Sequence, residues 1–191
     1  MRKLIVHQFI SLDGVIQAPG GADEDTDGGF AHGGWTIPFW HDDIGMRFSK
    51  AMETADTLLL GRKTWKTHGD AFEPLPPDEN PFGNVKKYVV STTLTSSAAW
   101  SNSTIISSNV VEEVRKLKNQ PGKDILSDGS SVLMHTLIEH DLVDEFYLHV
   151  YPLVFGSGKK LFPDGKHVRL KLIESAPLPT GVVYQHYELI R

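Results

Sequence analysis

Residues 58–65 read LLLGRKTW, three leucines running straight into a glycine and then into a basic, Thr-containing segment that ends in tryptophan. A short apolar run closed by a turn residue reads as a strand from the middle of a sheet. In an open α/β sheet, ligands sit beyond the carboxyl ends of such strands, where the following helices aim unpaired N–H groups outward. Gly61 permits close backbone approach, Arg62 can make paired hydrogen bonds to a phosphate, and the Thr64 hydroxyl can add another. The same residues also describe an ordinary strand leading into a capped surface helix with a solvated Arg–Lys pair. The rest of the chain has to decide between them.

The pattern recurs twice. YVVSTTL (88–94) sets Ser91, Thr92 and Thr93 directly after an apolar strand, where hydroxyls can receive a second phosphate or a ribose. ILSDGSSVLMHTL (125–137) runs strand, tight turn, helix, with Gly129, Ser130 and Ser131 at the helix start. Serines there are also ordinary N-caps. Three strand-to-polar-turn junctions together can hold an extended, multiply phosphorylated ligand.

Outward from these junctions, residues 3–10 read as a first buried strand, followed by a long Gly-, Asp- and Pro-rich loop over 11–38. Loops of that length in a compact domain are functional or disordered. Helical spacing of Ile44, Phe48, Ala51, Met52 and Ala55 predicts a helix over 42–55, and Val110, Val114 and Leu117 mark another that ends near Pro121-Gly122. A third helix carries Leu133, Met134, Leu137 and Ile138. GDAFEPLPPDENPFGN (69–84) reads as irregular. KYVVS, TIIS, DILS and DEFYLHVYP are strands, and 168–176 with 181–190 form a closing hairpin around Pro179-Thr180-Gly181. Strands alternating with helices and then ending in strands alone predict one α/β domain over 1–191, with a mixed sheet and an antiparallel edge.

A net charge of −5 argues against nucleic acid as the main partner. With no cysteine there is no disulfide, thiolate zinc site or Cys nucleophile. MRKLIVHQFISLDG reads as a strand and not a signal peptide, and no apolar run is long enough to cross a bilayer, so a cytoplasmic protein is expected. The histidines show no metal-ligand spacing, and His149, in an apolar strand, reads as a hydrogen-bonded core residue. FGSGKKLF (155–162) is not a Walker A loop, because Leu153 and Lys160 stand where that motif needs Gly and Ser or Thr. It reads as a tight Gly-rich turn, with a place near the ligand left open.

For acid–base work the candidates are Asp13 in SLDG and the pair Asp42-Asp43 beside Trp40, since a carboxylate against an aromatic can have its pKa raised. Asp13-Gly14 is equally a turn dipeptide, and Asp42 or Asp43 equally a helix N-cap. Trp35 is either a stacking surface for a flat ring or an anchor for the loop.

SLDGVIQAPG, LLLGRKTW, KYVVSTTL and the block 128–162 stand in an order and spacing that resemble the dihydrofolate reductase-like superfamily. The branch most similar is the reductase domain of the bifunctional riboflavin-biosynthesis deaminase–reductase. The resemblance covers nearly the whole chain and implies a mostly parallel central sheet flanked by helices, with a C-terminal antiparallel hairpin. It also implies NADPH-dependent hydride transfer to a small planar heterocycle or a ribosylaminopyrimidine-like substrate. By that resemblance Ile16 lies near the nicotinamide, and Gly61, Arg62 and Thr64 meet the pyrophosphate and adjoining ribose phosphate. Ser91 and Thr92 hold the adenosine 2′-phosphate end, with Gly129, Ser130 and Ser131 at the pyrophosphate. Asp13, Trp35 and one of Asp42 or Asp43 fall to the substrate side.

The chain also departs from the family. Dihydrofolate reductases carry Gly-Gly where Asp128-Gly129 stands, so the carboxylate either repels a pyrophosphate or turns away and caps the helix. There is no deaminase domain and no Cys/His zinc signature, which excludes a complete bifunctional enzyme. A homodimer is expected from the family. The rival readings are a non-catalytic dinucleotide-binding or sensing module and a self-associating structural domain paired through the EFYLHVY strand.

Overall fold

The computed structural model describes all 191 residues and sets β1 (Leu4–Ser11) between β5 (Asp124–Ser127) and β6 (Glu145–Tyr151), parallel to both. On the far side of β5, β2 (Ala55–Gly61), β3 (Lys86–Val90) and β4 (Ser103–Ile106) continue the parallel run. On the far side of β6, β8 (Val183–Leu189) pairs antiparallel, and β7 (Leu170–Pro177) pairs antiparallel with β8. The order is β4-β3-β2-β5-β1-β6-β8-β7. This is the mixed, mostly parallel sheet with a closing hairpin that the sequence predicts.

Because side chains alternate along a strand, β1 and β2 serve two cores at once. Leu4, Val6 and Leu59 pack with Val114 and Leu117 of helix α3 (Val110–Asn119), and with Leu133, Met134, Leu137 and Ile138 of helix α4 (Ser131–Glu139). Ile5, Leu58 and Leu60 face the opposite way, onto Ala51 of helix α1 (Asp42–Thr54) and Trp65 of helix α2 (Arg62–Phe72). Helix α2 takes in residues 69–72, which the sequence assigns to an irregular stretch. There Trp65 and Gly69, one helical turn apart, are both buried, and that packing carries the helix past the glycine.

EFYLHVY cannot pair between subunits, because β6 has β1 on one side and β8 on the other. The open edges of the sheet are β4 and β7. No helix is long and apolar enough to cross a membrane.

Candidate active site

A cleft of about 1110 Å³ opens where β2, β3 and β5 end. That exceeds the roughly 300–1,000 Å³ of a site for one small ligand. The junctions singled out in the sequence meet in it. Gly61, Arg62 and Thr64 come from the β2–α2 junction, Ser91 and Thr92 from the end of β3, and Gly129, Ser130 and Ser131 from the β5–α4 junction. Ile16 enters from the loop after β1.

The β2–α2 and β5–α4 junctions are bound to each other. The Gly61 N–H donates to Ser130 Oγ at 2.8 Å, and the Ser130 hydroxyl donates to Thr64 Oγ1 at 2.9 Å. The buried Gln8 amide on β1 spans Gly129, donating to its carbonyl at 2.9 Å and accepting from its N–H at 3.2 Å. Approach is so close that a Cβ on Gly129, whose φ is +53°, would lie 2.6 Å from Thr64 Oγ1. A Cβ on Gly61 would lie 2.9 Å from Ser130 Oγ. Glycine is the residue that fits both places.

Neither α2 nor α4 has a side-chain cap or an acid in its first turn. By contrast, the His41 ring caps α1, which carries Asp42 and Asp43 in its first turn, and α3 carries Glu112 and Glu113. Orphan N–H groups and the positive end of the dipole are therefore left open at the starts of α2 and α4, both of which line the cleft. Arg62, at the first position of α2, is exposed beside them. The donor set suits a dinucleotide pyrophosphate. Ser91 spends its hydroxyl on the turn after β3, accepting from the N–H groups of Thr93 at 3.2 Å and Leu94 at 3.0 Å, while Thr92 stays exposed.

One wall of the cleft is the long loop, fastened by an ionic clasp. Lys63 Nζ reaches Asp25 at 3.0 Å and Asp27 at 2.5 Å; Lys159 Nζ reaches the same two at 2.5 and 2.7 Å. These ammonium groups hold Asp27 down to about 2. The Gly-rich 155–162 segment is thus part of the site. It bridges to the loop through Val15 and Lys160, and the Ile16 N–H donates to the Lys159 carbonyl at 2.9 Å.

The four substrate-side candidates lie elsewhere. Asp13 faces the 155–156 backbone, accepting from Ser11 Oγ at 2.6 Å and from the Gly156 N–H at 2.7 Å. Burial works to raise its pKa, but these donors outweigh burial and keep the carboxyl below its usual range, the wrong direction for a proton donor. Trp35 is a buried anchor: its indole N–H donates to the Gln17 carbonyl at 2.7 Å, and its ring meets Tyr151 edge-on. Asp42 and Asp43 belong to the start of α1, where Asp42 borders a separate depression with Trp40 and Met46.

Asp128 lines the cleft but does not cap α4, whose N-cap is Ser130. Its Oδ2 lies 3.0 Å from His68 Nε2 on α2. Burial raises the Asp128 pKa, yet His68 more than offsets this and leaves it lowered. Burial likewise works against a charged His68, and Asp128 reverses the balance, so its pKa is raised. Helical spacing held the clue to His68: Thr64, Thr67, His68 and Ala71 share the face of α2 that lines the cleft. Glu24 and His7 also line it. Burial pushes His7 down to about 4 and His149 to about 2, and neither His149 ring nitrogen has a hydrogen-bond partner. His149 is a core residue, but an unpaired one.

The family model described as RibD C-terminal domain matches residues 2–184. The uncharacterized Bacillus subtilis (strain 168) protein YyaP is 34% identical over 95% of this chain and 92% of its own. A pyrimidine reductase-like protein from Corynebacterium diphtheriae superposes with a TM-score of 0.69 at 15% identity, covering 100% of this chain and 92% of that one. Dihydrofolate reductase from Enterococcus faecalis, complexed with NADP(H) and RAB-propyl, superposes with a TM-score of 0.64 at 21% identity, covering 99% and 97%. At such identities the two structures establish a shared fold.

Proposed function

The chain belongs to the RibD C-terminal domain family, and from that premise we propose that it is an NADPH-dependent reductase. Its substrate is a small planar heterocycle or a ribosylaminopyrimidine-like molecule, reduced at a C=N or C=O carbon. The observation that carries this reading is the fusion of two uncapped, acid-free helix starts through Gly61, Ser130 and Thr64 at the mouth of one cleft. When bound there, the cofactor supplies the hydride.

Gly61, Arg62, Thr64, Gly129, Ser130 and Ser131 hold the pyrophosphate and the adjoining ribose. Ser91 and Thr92 frame the adenosine 2′-phosphate end, and Ile16 abuts the nicotinamide. Phe9, Phe48 and His7 offer the substrate ring an apolar wall. Lys63 and Lys159 are already paired with Asp25 and Asp27, which leaves Arg62 as the uncommitted lysine or arginine of the cleft. Of the two substrate forms, an unphosphorylated ring suits that inventory better.

The alternative, a non-catalytic dinucleotide module, rests on Asp128 repelling phosphate and on the lack of a clear acid; the pairing of Asp128 with His68 weakens the first ground, while Asp13, Asp42 and Asp43 lie outside the cleft. Self-association, where the family expectation of a homodimer holds, falls to the open edge β7, whose Leu172 and Ile173 are exposed.

The test is NADPH consumption, followed by nicotinamide absorbance, against a panel of dihydropterins and ribosylaminopyrimidines with and without phosphate. Consumption with an unphosphorylated member is expected. Tight NADPH binding with no consumption across the panel would return the protein to the binding-module reading.

A further inference from the structure

The proposed reduction needs a proton as well as a hydride, and the carboxylates nearest to hand are poorly placed to give one. Asp13 is held by backbone donors away from the cleft, and Asp42 and Asp43 sit at the start of α1. Glu24 lines the cleft and burial raises its pKa, but its Oε2 is held by the N–H groups of Gly20 and Gly21, at 2.6 and 3.2 Å, and its charge favours the His68 cation. His7 borders the cleft but is almost fully buried; burial pushes its pKa down to about 4, so it stays neutral, and its Nε2 has no hydrogen-bond partner. We propose that His68 is the proton donor of this cleft and that Asp128 is the residue that positions it. The assignment rests on the reductase reading above.

The ring of His68 is fixed on three sides. It stacks on Phe82 with centroids 5.8 Å apart and planes 18° from parallel, and it meets Phe72 and Trp100 edge-on. On the fourth side, Nε2 meets Asp128 Oδ2 at 3.0 Å. Asp128 has no other side-chain partner, since its Oδ1 is sealed and unpartnered. A carboxylate at Nε2 keeps the proton on that nitrogen in both charge states, so Nδ1 is the atom that gains and loses one. Nδ1 makes no hydrogen bond and is not among the sealed atoms, and His68 lines the cleft. The exchangeable proton is thus carried by the ring nitrogen left free, on a residue that lines the cleft.

The charged neighbours agree with this. Asp128 from the β5–α4 junction and Glu24 from the loop both favour the cation, against burial, and together they raise the pKa. His7 on β1 is held neutral, and Lys87, near Trp100, is engaged by the Phe82 carbonyl at 2.6 Å. His68 is therefore protonated to a higher pH than an ordinary histidine.

The step balances. Hydride arriving at the carbon of a C=N bond leaves an electron pair on nitrogen, and the Nδ1–H proton goes to that pair, giving CH–NH. His68 becomes neutral imidazole, its remaining proton kept on Nε2 and donated to Asp128 Oδ2, and it takes its next proton from solvent through the cleft. Reduction of a carbonyl follows the same accounting and yields an alcohol.

The experiment pairs a carbon-detected NMR pH titration of the His68 ring, with NADP+ bound, with the pH profile of turnover on the panel member consumed. In wild type the midpoint should stand above the ordinary histidine value, and in Asp128→Asn it should fall. His68→Gln should lower kcat by about 100-fold or more and abolish the basic limb of the profile, with NADPH affinity within about twofold. Asp128→Asn should move that limb to lower pH and leave KM nearly unchanged. A wild-type midpoint at or below the ordinary value, a midpoint unmoved by Asp128→Asn, or His68→Gln turnover within about threefold of wild type would each overturn the assignment alone. Failure of the wild type to bind NADPH, or to consume it with any panel member, would overturn the reductase reading and the proton donor with it.

Discussion

Helices α1 and α2 begin in opposite ways. The first is closed off, with the His41 ring accepting the Asp43 N–H at 3.2 Å and two carboxylates in its first turn. The second starts at Gly61 with no side-chain cap and no acid, and its first residue is an exposed arginine. Helix α4 starts the same way, and Ser130 ties the two together. A helix start that ends its own electrostatic business needs no ligand, whereas one that leaves it open is available to an anion. The contrast separates a helix start that is closed to an anion from two that are open more sharply than either sequence motif does alone.

The largest expected effect comes from filling the space between the open starts. Gly129→Val adds a Cβ that would lie 2.6 Å from Thr64 Oγ1, in a backbone conformation with φ +53°. It should cost about 2 kcal/mol or more of stability by thermal unfolding. NADPH affinity should fall by about 100-fold, or about 2.7 kcal/mol. A folded Gly129→Val protein with unchanged affinity would mean that the joined starts are not the phosphate site.

Arg62→Ala probes the same open end more gently. It should weaken NADPH binding by about 1.5 kcal/mol, roughly tenfold, in a fluorescence titration. Unchanged affinity would remove the guanidinium from the site and leave the N–H groups and hydroxyls as its donors.

The smallest effect should come from the closed end. Asp42→Asn with Asp43→Asn should reduce stability by about 0.5–1 kcal/mol and leave NADPH affinity unaltered. If affinity fell instead, α1 would belong to the site and the contrast would dissolve.

Local grammar made the cofactor end legible. LLLGRKTW, YVVSTTL and DGSS each place an apolar strand before a polar turn, and the sheet needs no long-range detail to bring such turns to one edge. The substrate side was not legible in the same way. Asp13 and Trp35 sit in the long loop, where direction depends on what the loop packs against: the 155–156 backbone for one, Tyr151 and the Gln17 carbonyl for the other. Asp42 beside Trp40 looked like a carboxylate against an aromatic or a helix N-cap, but His41 is the cap, and Asp42 and Asp43 fall in the first turn of α1. His68 and Asp128 are 60 residues apart, and only the packing of α2 beside the end of β5 joins them. The i, i+3, i+4 spacing of Thr64, Thr67 and His68 pointed to the cleft, though not to the carboxylate waiting there. EFYLHVY looked like an interface strand because nothing local tells an interior apolar strand from an edge one.

The most direct test of the central claim is a titration of the purified protein with NADPH and with NADH, followed by nicotinamide fluorescence. Tight binding of NADPH and much weaker binding of NADH is the predicted result, since in the proposed site the pyrophosphate falls to the open starts of α2 and α4 and the 2′-phosphate to Ser91 and Thr92. Binding of neither dinucleotide would contradict the account, because the open helix starts would then have no dinucleotide to serve.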